Sequence, residues 1–193
     1  MPRGRFDYVT PGSFFYGAGP ALEPAIGTGV AAFVRGSLYA TPIMLPPGWR
    51  RVITVRVRAL SAPTGTYVLG LYRNTTSAGL AIPGALIDAS TFTAQIGVLS
   101  LTTPYTPAYE RELLWCVFVS CETTPLMDET LSHNRPNLLG YIGAGTVPSA
   151  RDGNVGWRVP SWGFAAAPAT FPVESLAALT SVPLASVMLG NSA

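Results

Sequence analysis

Apolar and polar residues alternate along two neighbouring stretches of the chain, a pattern that is typical of β-strands with one buried face. In the first stretch three apolar residues alternate with three polar ones: Ile53, Val55 and Val57 against Thr54, Arg56 and Arg58. The second stretch restarts the alternation with an apolar set of the same spacing: Tyr67, Leu69 and Leu71. Between them Pro63 fixes its own φ and Gly65 tolerates positive φ, as tight turns require. The pattern therefore predicts a β-hairpin over residues 51–72.

Residues 113–119 form the most apolar run in the chain. Its short length and its β-branched and aromatic content predict a strand that is buried on both faces. Further strands are predicted at residues 38–45, 85–88, 91–96 or 98–101, 138–142, 176–179 and 182–189. The remaining segments are interpreted as a polar loop at 73–79, a turn at 83–84, a proline-bounded loop at 103–107, a helical turn at 128–132 and a long loop at 143–163.

Glycine and proline are frequent, with 20 and 18 residues, while 48% of the chain is hydrophobic. Many turns between short strands account for this composition better than disorder does. Roughly seven to nine short strands without helical periodicity indicate an all-β fold, an antiparallel β-sandwich of jelly-roll or Greek-key type. We expect this β-sandwich domain to span residues 38–193.

Residues 1–37 differ from the rest because glycine and proline recur there without a sustained strand pattern. We interpret them as an extended N-terminal attachment arm, with one short strand near residues 30–34. Five aromatic residues are predicted to bind a partner: Phe6, Tyr8, Phe14, Phe15 and Tyr16. An arm that folds back onto its own domain is the alternative.

Charged residues make up only 11% of the chain, whereas about 25% is usual. A surface so poor in charge predicts that other subunits cover much of it, and we expect a homo-oligomer, with a trimer favoured. The net charge is +2 without a concentrated basic face, so we expect no nucleic-acid binding. No apolar stretch approaches the ~20 residues of a membrane helix, so we expect no membrane insertion. The first residues lack a hydrophobic signal core, which predicts a protein that is made and kept in a cytoplasm.

Residues that could support catalysis are few, so we expect no enzyme activity, catalytic residue, cofactor or metal. His133 is the single histidine, and it lies in a polar stretch without the spacing of a triad or a zinc site. Glu110 and Glu112 flank an arginine and are interpreted as a charged strand edge. Cys116 and Cys121 would lie roughly 16 Å apart on one strand, which is too far for a disulfide, so two reduced thiols are expected.

One group of residues has the composition of a sugar-binding surface, where aromatic rings stack on sugars and polar groups bind their hydroxyls. Its candidate glycan-binding members are Tyr141, Arg151, Asp152, Asn154, Trp157 and Trp162. The alternative is that these aromatic rings pack the end of the sandwich or an oligomer interface.

An ordered series of short motifs resembles a known family. The series consists of Ile53–Val57, Leu69-Gly70-Leu71-Tyr72, Gly84-Ala85-Leu86-Ile87-Asp88, Leu114-Trp115-Cys116-Val117 and Ala169-Thr170-Phe171-Pro172. It resembles the β-sandwich domain of minor structural proteins of tailed bacteriophages and gene-transfer-agent-like particles, over roughly residues 38–189. In that family Pro-Gly precedes the tryptophan-containing strand, and here residues 110–112 are Glu-Arg-Glu instead.

The resemblance implies a virion protein of the fibre, spike or decoration class, in the head or the tail, assembled in the host cytoplasm. It implies other virion structural proteins, of capsid or tail, as partners. It further implies a host surface glycan as a second binding partner of some members, which makes a receptor-binding adhesin module the alternative function.

Overall fold

The structure is a computed structural model, and it describes residues 14–16, 29–44, 51–60, 65–93, 96–109, 112–119, 126–131, 156–163, 166–179, 181–183 and 186–190. Within these residues the chain is all-β and every strand pair is antiparallel. The strands are β1 (Phe14–Tyr16), β2 (Gly29–Ala32), β3 (Leu38–Met44), β4 (Arg51–Ala59), β5 (Thr66–Ser77), β6 (Leu80–Thr93), β7 (Gly97–Tyr105), β8 (Leu113–Val119), β9 (Leu126–Leu131), β10 (Gly156–Val159), β11 (Ala177–Leu179), β12 (Ser181–Pro183) and β13 (Ser186–Gly190).

The described strands form a seven-stranded and a six-stranded sheet. In the seven-stranded sheet β4 is central, because it pairs with β7 along one edge and with β13 and β9 along the other. β1 extends this sheet beyond β13, and β2 and β12 pair with β9. The six-stranded sheet has the order β11-β10-β3-β8-β5-β6, so β8 is internal and β6 is an edge strand.

The two sheets pack face to face through one apolar cluster, which we call the inner cluster. The seven-stranded sheet contributes residues of β4 and β7: Val52, Val55, Val57, Ala59, Leu99, Leu101 and Tyr105. The six-stranded sheet contributes residues of β3, β5 and β8: Tyr39, Ile43, Tyr67, Leu69, Leu71, Leu114, Cys116 and Phe118. Two antiparallel sheets closed around a shared core are the arrangement of a β-sandwich.

The other face of the six-stranded sheet is buried as well, by a second cluster that we call the outer cluster. Its buried members are Leu38, Ala40, Val68, Tyr72, Ile82, Trp115, Val117, Val119, Trp157, Val159 and Phe171. Two segments cover it, namely the far end of the β5–β6 hairpin and residues 166–176, which we call the strap. The prediction of a strand buried on both faces is therefore confirmed for β8, whose alternate residues enter the two clusters.

The predicted hairpin over residues 51–72 is wrong. β4 and β5 lie in different sheets, and their apolar residues meet across the inner cluster instead of side by side. Alternation specifies which face of a strand is buried, but it does not specify the neighbouring strand. The alternation also shifts within β4, because a bulge near Ile53 puts Val52 and Val55 into the same cluster.

Several predicted connections are strands in the structure. Residues 73–77 continue β5 and residues 83–84 lie inside β6, so the real hairpin turns at Ala78 and Gly79, both with positive φ. Residues 103–105 belong to β7, and residues 128–131 belong to β9 instead of a helical turn. Polar residues misled the prediction because the β5–β6 hairpin extends beyond the buried part of its sheet, where polar side chains are tolerated.

Candidate functional site

Four of the six predicted glycan-binding residues lie outside the described residues: Tyr141, Arg151, Asp152 and Asn154. The single histidine, His133, lies outside them as well. The two tryptophans of the set are described, and they lie on the outer face of the six-stranded sheet.

Trp157 is fully buried in the outer cluster. It lies on β10, where it pairs with Ala40 of β3, and its indole Nε1 donates a hydrogen bond of 2.8 Å to the Ala81 carbonyl oxygen. Because the ring is enclosed and its polar atom is bonded, no ring face is free to stack on a sugar. This position follows the alternative interpretation, in which the aromatic residues pack the sandwich.

Trp162 is only partly buried and packs against the edge of the outer cluster. It follows Ser161, which has a φ of 56°, and precedes Gly163, whose amide donates to the Gly36 carbonyl oxygen at 3.0 Å. Its indole Nε1 is buried and has no hydrogen-bond partner among the described residues. Trp162 is therefore the tryptophan of the predicted set that is not fully buried, whereas its indole donor is enclosed and does not reach the surface.

The strap is bonded to β6 like a short added strand. The Leu86 amide donates to the Ala169 carbonyl oxygen at 2.9 Å, and the Phe171 amide donates to the Gly84 carbonyl oxygen at 3.1 Å. An antiparallel bridge between Ala85 and Thr170 lies between these bonds. The strap thus lengthens the edge of the six-stranded sheet and covers its outer face.

Side chains beneath the strap hold it in place. The Tyr72 hydroxyl donates to the Pro168 carbonyl oxygen at 2.7 Å, and its ring meets Phe171 edge to face, with centroids 6.1 Å apart. Gly70 lies where the strap approaches, because a Cβ there would stand 3.0 Å from Tyr72 Cε2 and 3.6 Å from Ala167 Cβ. Burial strongly raises the pKa of the Tyr72 phenol, so it stays a donor at all ordinary pH values.

The hairpin end is held by a second tryptophan. Trp115 is fully buried on β8, and its Nε1 donates to Asn74 Oδ1 at 3.0 Å. Together with the bond from Trp157 to Ala81, this contact ties both arms of the β5–β6 hairpin to the sheet below. Two fully buried indoles with satisfied donors are a packing arrangement.

The described part of the predicted arm is bound to its own domain. β1 contains three of the five predicted partner-binding residues, and it pairs with β13 through Phe14 and Met188, Phe15 and Val187, and Tyr16 and Ser186. Phe6 and Tyr8 lie outside the described residues. Further along, β2 pairs with β9, and Phe33 enters the inner cluster against Tyr39. These contacts favour the alternative of an arm that folds back, and residues 29–37 are built into the sandwich.

A buried carboxylate that sequence reasoning misinterpreted lies at one end of the sandwich. Glu112 is only 4% exposed, so it is not part of a charged edge. Its two oxygens accept hydrogen bonds from the Tyr105 hydroxyl at 2.8 Å and the Ala108 amide at 2.7 Å. Burial and the bond to Glu112 raise the pKa of Tyr105 to about 12, and the Arg73 guanidinium lies 5.6 Å from its ring centroid. The only sequence signal was an acid directly before the apolar run of β8.

This carboxylate organises the local structure. Glu112 bridges β7 and the loop that follows it, and both oxygens already have donors, so the group fixes the loop geometry. Catalysis by paired carboxylates would need a second acid opposite the first. Among the described residues, no group of three His, Cys, Asp or Glu side chains is arranged to hold a metal ion.

Cys116 is a buried free thiol of the inner cluster, and burial raises its pKa. A thiol held neutral is a poor nucleophile. The structure thus describes Cys116 as one of the two expected reduced thiols, and Cys121 lies outside the described residues.

The chain was compared with known proteins. No protein-family model matches it, and no curated protein matches it either. In the part of the chain that the structure describes, there is no helix long and apolar enough to cross a membrane.

Proposed function

We propose that the chain is a non-enzymatic structural component of a bacteriophage virion, a fibre, spike or decoration protein of the head or tail. The observation that carries the proposal is a packed all-β body in a chain with only 11% charged residues. Two apolar clusters fill this body, and the buried carboxylate and thiol within it serve packing. A surface with so few charged residues is suited to permanent contacts with other subunits.

Exposed apolar residues support the same proposal. Among the residues whose burial the structure describes, four large ones are at least one third exposed: Val34, Ile96, Tyr109 and Val173. They lie on different connections of the sandwich, so we interpret them as separate contacts in an assembly instead of one pocket. The proposal includes a jelly-roll type of wiring and homo-oligomeric packing of the sandwich. It also includes attachment to the particle through the N-terminal segment, whose strand β1 pairs with β13 on one edge and with no described strand on the other.

The experiment that tests this proposal is the recovery of the chain in particles. Particles purified by density gradient from a lysate of the producing cells should contain the full chain in a fixed ratio to the major capsid protein, measured by quantitative mass spectrometry. A chain that stays in the soluble fraction while complete particles form would contradict the proposal.

A deletion tests the attachment. Removal of residues 1–16 eliminates β1 and the aromatic positions before it but keeps β2 and Phe33. The truncated chain should keep a cooperative unfolding transition and lose its place in particles. A change of Phe14, Phe15 and Tyr16 to serine in the full-length chain is the matched variant, and normal incorporation of both forms would contradict attachment through this segment.

The alternative function, a host-glycan-binding adhesin module, has one specific observation in its favour. Trp162 is only partly buried, and an aromatic ring that stays partly exposed can stack on the apolar face of a sugar. Trp162→Ala should then abolish binding to host polysaccharide on a glycan array, while Tyr109→Ala, which removes an exposed aromatic ring elsewhere, should not. Equal binding by both variants would contradict the adhesin function.

A further inference from the structure

One flank of the sandwich consists of two edge strands that follow each other in the chain. β6 is the last strand of the six-stranded sheet, and β7 pairs only with β4 among the described strands. The short link between β6 and β7 carries Ile96, which is 65% exposed. Both sheets therefore end on the same side of the molecule, and no described strand pairs with the outer edge of β7 or of residues 89–93 in β6.

This flank has almost none of the charge that normally protects sheet edges. No residue between Asp88 and Glu110 is charged, and that stretch contains the second half of β6 and all of β7. Soluble proteins usually block long edges with charged side chains, proline, bulges or a covering segment, because an open edge pairs with other strands. Pro104 interrupts only the end of β7.

Residues 84–86 on the edge of β6 are already paired with the strap. The strap forms two backbone hydrogen bonds and a bridge with residues 84–86. Beyond the strap, β6 is irregular near Ile87, where its pairing with β5 shifts register. The edge then continues from Ala89 to Thr93 without a further strand among the described residues. This edge thus pairs with an added segment at residues 84–86, and in the part of the chain that the structure describes no further strand pairs with residues 89–93.

The outward direction of the backbone follows from one hydrogen bond. The Ala89 amide donates to Asp88 Oδ1 at 2.9 Å, so it points away from β5. Because direction alternates along an antiparallel edge strand, the amides of Thr91 and Thr93 also point outward. Both residues are exposed. The open edge therefore offers two donors, and the carbonyl oxygens of the same outward residues as acceptors.

We propose that a second copy of this chain docks on this flank, with β6 of each copy paired antiparallel around Thr91, so that the six-stranded sheets continue across a two-fold axis. This inference rests on the proposed function, for which it names the oligomer contact. It assigns a dimer contact in place of the trimer that the sequence predicts.

The second copy is the occupant that the chemistry of the edge favours. A two-fold pair places Thr91 opposite Thr91 of the second copy, and threonine pairs of this kind stabilise antiparallel strands. Asp88 then lies opposite residue 94 of the second copy, so the two carboxylates do not face each other. The same axis brings the uncharged β7 edges together. Residues 89–109 contain no charged side chain that would oppose the association of identical surfaces.

The test is the mass of the full-length chain in solution, measured by sedimentation and light scattering over a range of concentrations. The wild-type chain should have twice its chain mass of 20.3 kDa. Thr91→Pro removes the outward donor without breaking the ladder to β5, since edge strands tolerate proline on their open side. It should give a monomer with an unchanged circular dichroism spectrum, whereas Thr91→Val, which keeps the amide, should remain a dimer.

A charge variant keeps the proposal testable even where proline harms folding. Thr91→Lys places two ammonium groups opposite each other across the axis, and it should raise the dimer dissociation constant at least about tenfold at low salt, with partial recovery at high salt. A wild-type monomer, a wild-type trimer, or a dimer that neither variant weakens would overturn the inference.

The two proposals fail separately. A monomeric chain that is still recovered in particles would overturn the edge contact and leave the virion function intact. A dimer that Thr91→Lys dissociates, in a chain absent from particles, would support the edge contact and overturn the virion function.

Discussion

The two faces of the six-stranded sheet are buried in different ways. The inner face meets a second sheet, and the inner cluster is filled by apolar side chains that alternate along β4, β5, β7 and β8. The outer face meets no sheet among the described residues. It is covered by a strap and a hairpin end that are held by individual hydrogen bonds of Tyr72, Trp115 and Trp157.

The difference indicates that the two faces should open at different free energies. Separating two packed sheets exposes the whole inner cluster at once, which amounts to global unfolding. Releasing the strap breaks two backbone hydrogen bonds and one side-chain bond and exposes only part of the outer cluster. We therefore expect the strap to detach while the sandwich stays folded.

The largest effect should come from a matched pair of phenylalanines. Phe118 lies in the inner cluster and Phe171 in the outer one, and both are at most 2% exposed. Phe118→Ala should lower the free energy of unfolding by about 3–5 kcal/mol, because the packed sheets cannot collapse around the cavity. Phe171→Ala should cost less, about 1.5–3 kcal/mol, since only transfer of the side chain is lost.

Urea unfolding followed by circular dichroism measures both changes. Phe→Leu at each position is the control, because it keeps most of the apolar volume and should reduce the difference between the two sites. If both alanine variants lose the same free energy of unfolding, the two faces do not differ in the way proposed.

Gly70 sharpens the comparison because it lies on the outer face beneath the strap. Gly70→Ala adds a Cβ that would stand 3.0 Å from the Tyr72 ring, and such crowding costs roughly 1–3 kcal/mol. Replacement of glycine in a strand should return about 0.5–1 kcal/mol. We expect a net loss in thermal unfolding and greater protease sensitivity of the strap, and a stabilised variant would contradict the close approach.

Tyr72→Phe tests the strap bond with a smaller effect. It removes the hydroxyl that donates to Pro168 and should cost about 1 kcal/mol. Tyr109→Phe changes an exposed tyrosine and should cost nothing. Limited proteolysis should then cut the strap faster in Tyr72→Phe than in Tyr109→Phe, and equal cutting rates would mean that the bond does not hold the strap.

Alkaline pH should weaken both faces gradually. Burial raises the pKa of the Cys116 thiol and the Tyr72 phenol, and burial with Glu112 raises that of Tyr105 to about 12. The unfolded chain loses these protons near pH 8.5 for cysteine and about 10 for tyrosine. Because the folded pKa values are raised, these groups contribute their full stabilisation below the pKa values of the unfolded chain. The stabilisation is lost as the pH rises above those unfolded values towards 12.

The urea midpoint should therefore be constant below about pH 8 and fall above it, more steeply beyond pH 10. The chain contains 12 arginines and no lysine. Lysine titration therefore does not obscure the effect. Cys116→Ala should reduce the decrease of the urea midpoint in the lower part of this range, between about pH 8 and 10. A midpoint that stays constant from pH 8 to 11 would contradict the burial of these groups.

The inner face could be predicted from the sequence better than the outer one. Alternation in β4 and β5 identified Val55, Val57, Leu69 and Leu71 as buried, and the run of β8 was identified as buried on both faces. The same alternation could not show that β4 and β5 belong to different sheets, because it carries no information on strand neighbours.

The outer face depends on contacts between residues that are distant in sequence. Tyr72 and Pro168, or Trp157 and Ala81, meet only after the sheet has formed. Trp157 looked like a ligand-binding residue because a tryptophan in a glycine-rich segment has the same sequence signature whether its ring is exposed or covered. The strap had no strand pattern from which its position could be predicted.

Native-state hydrogen exchange tests the distinction between the two faces most directly. The amides of Leu86 and Phe171 form the two backbone hydrogen bonds that join β6 and the strap. Val117, in contrast, lies in β8 between β3 and β5. We predict that Leu86 and Phe171 exchange through a local opening with little denaturant dependence, and that Val117 exchanges only through global unfolding. If all three amides share one opening free energy and one denaturant dependence, the outer layer is part of a single cooperative core, and the account of a separately held strap is wrong.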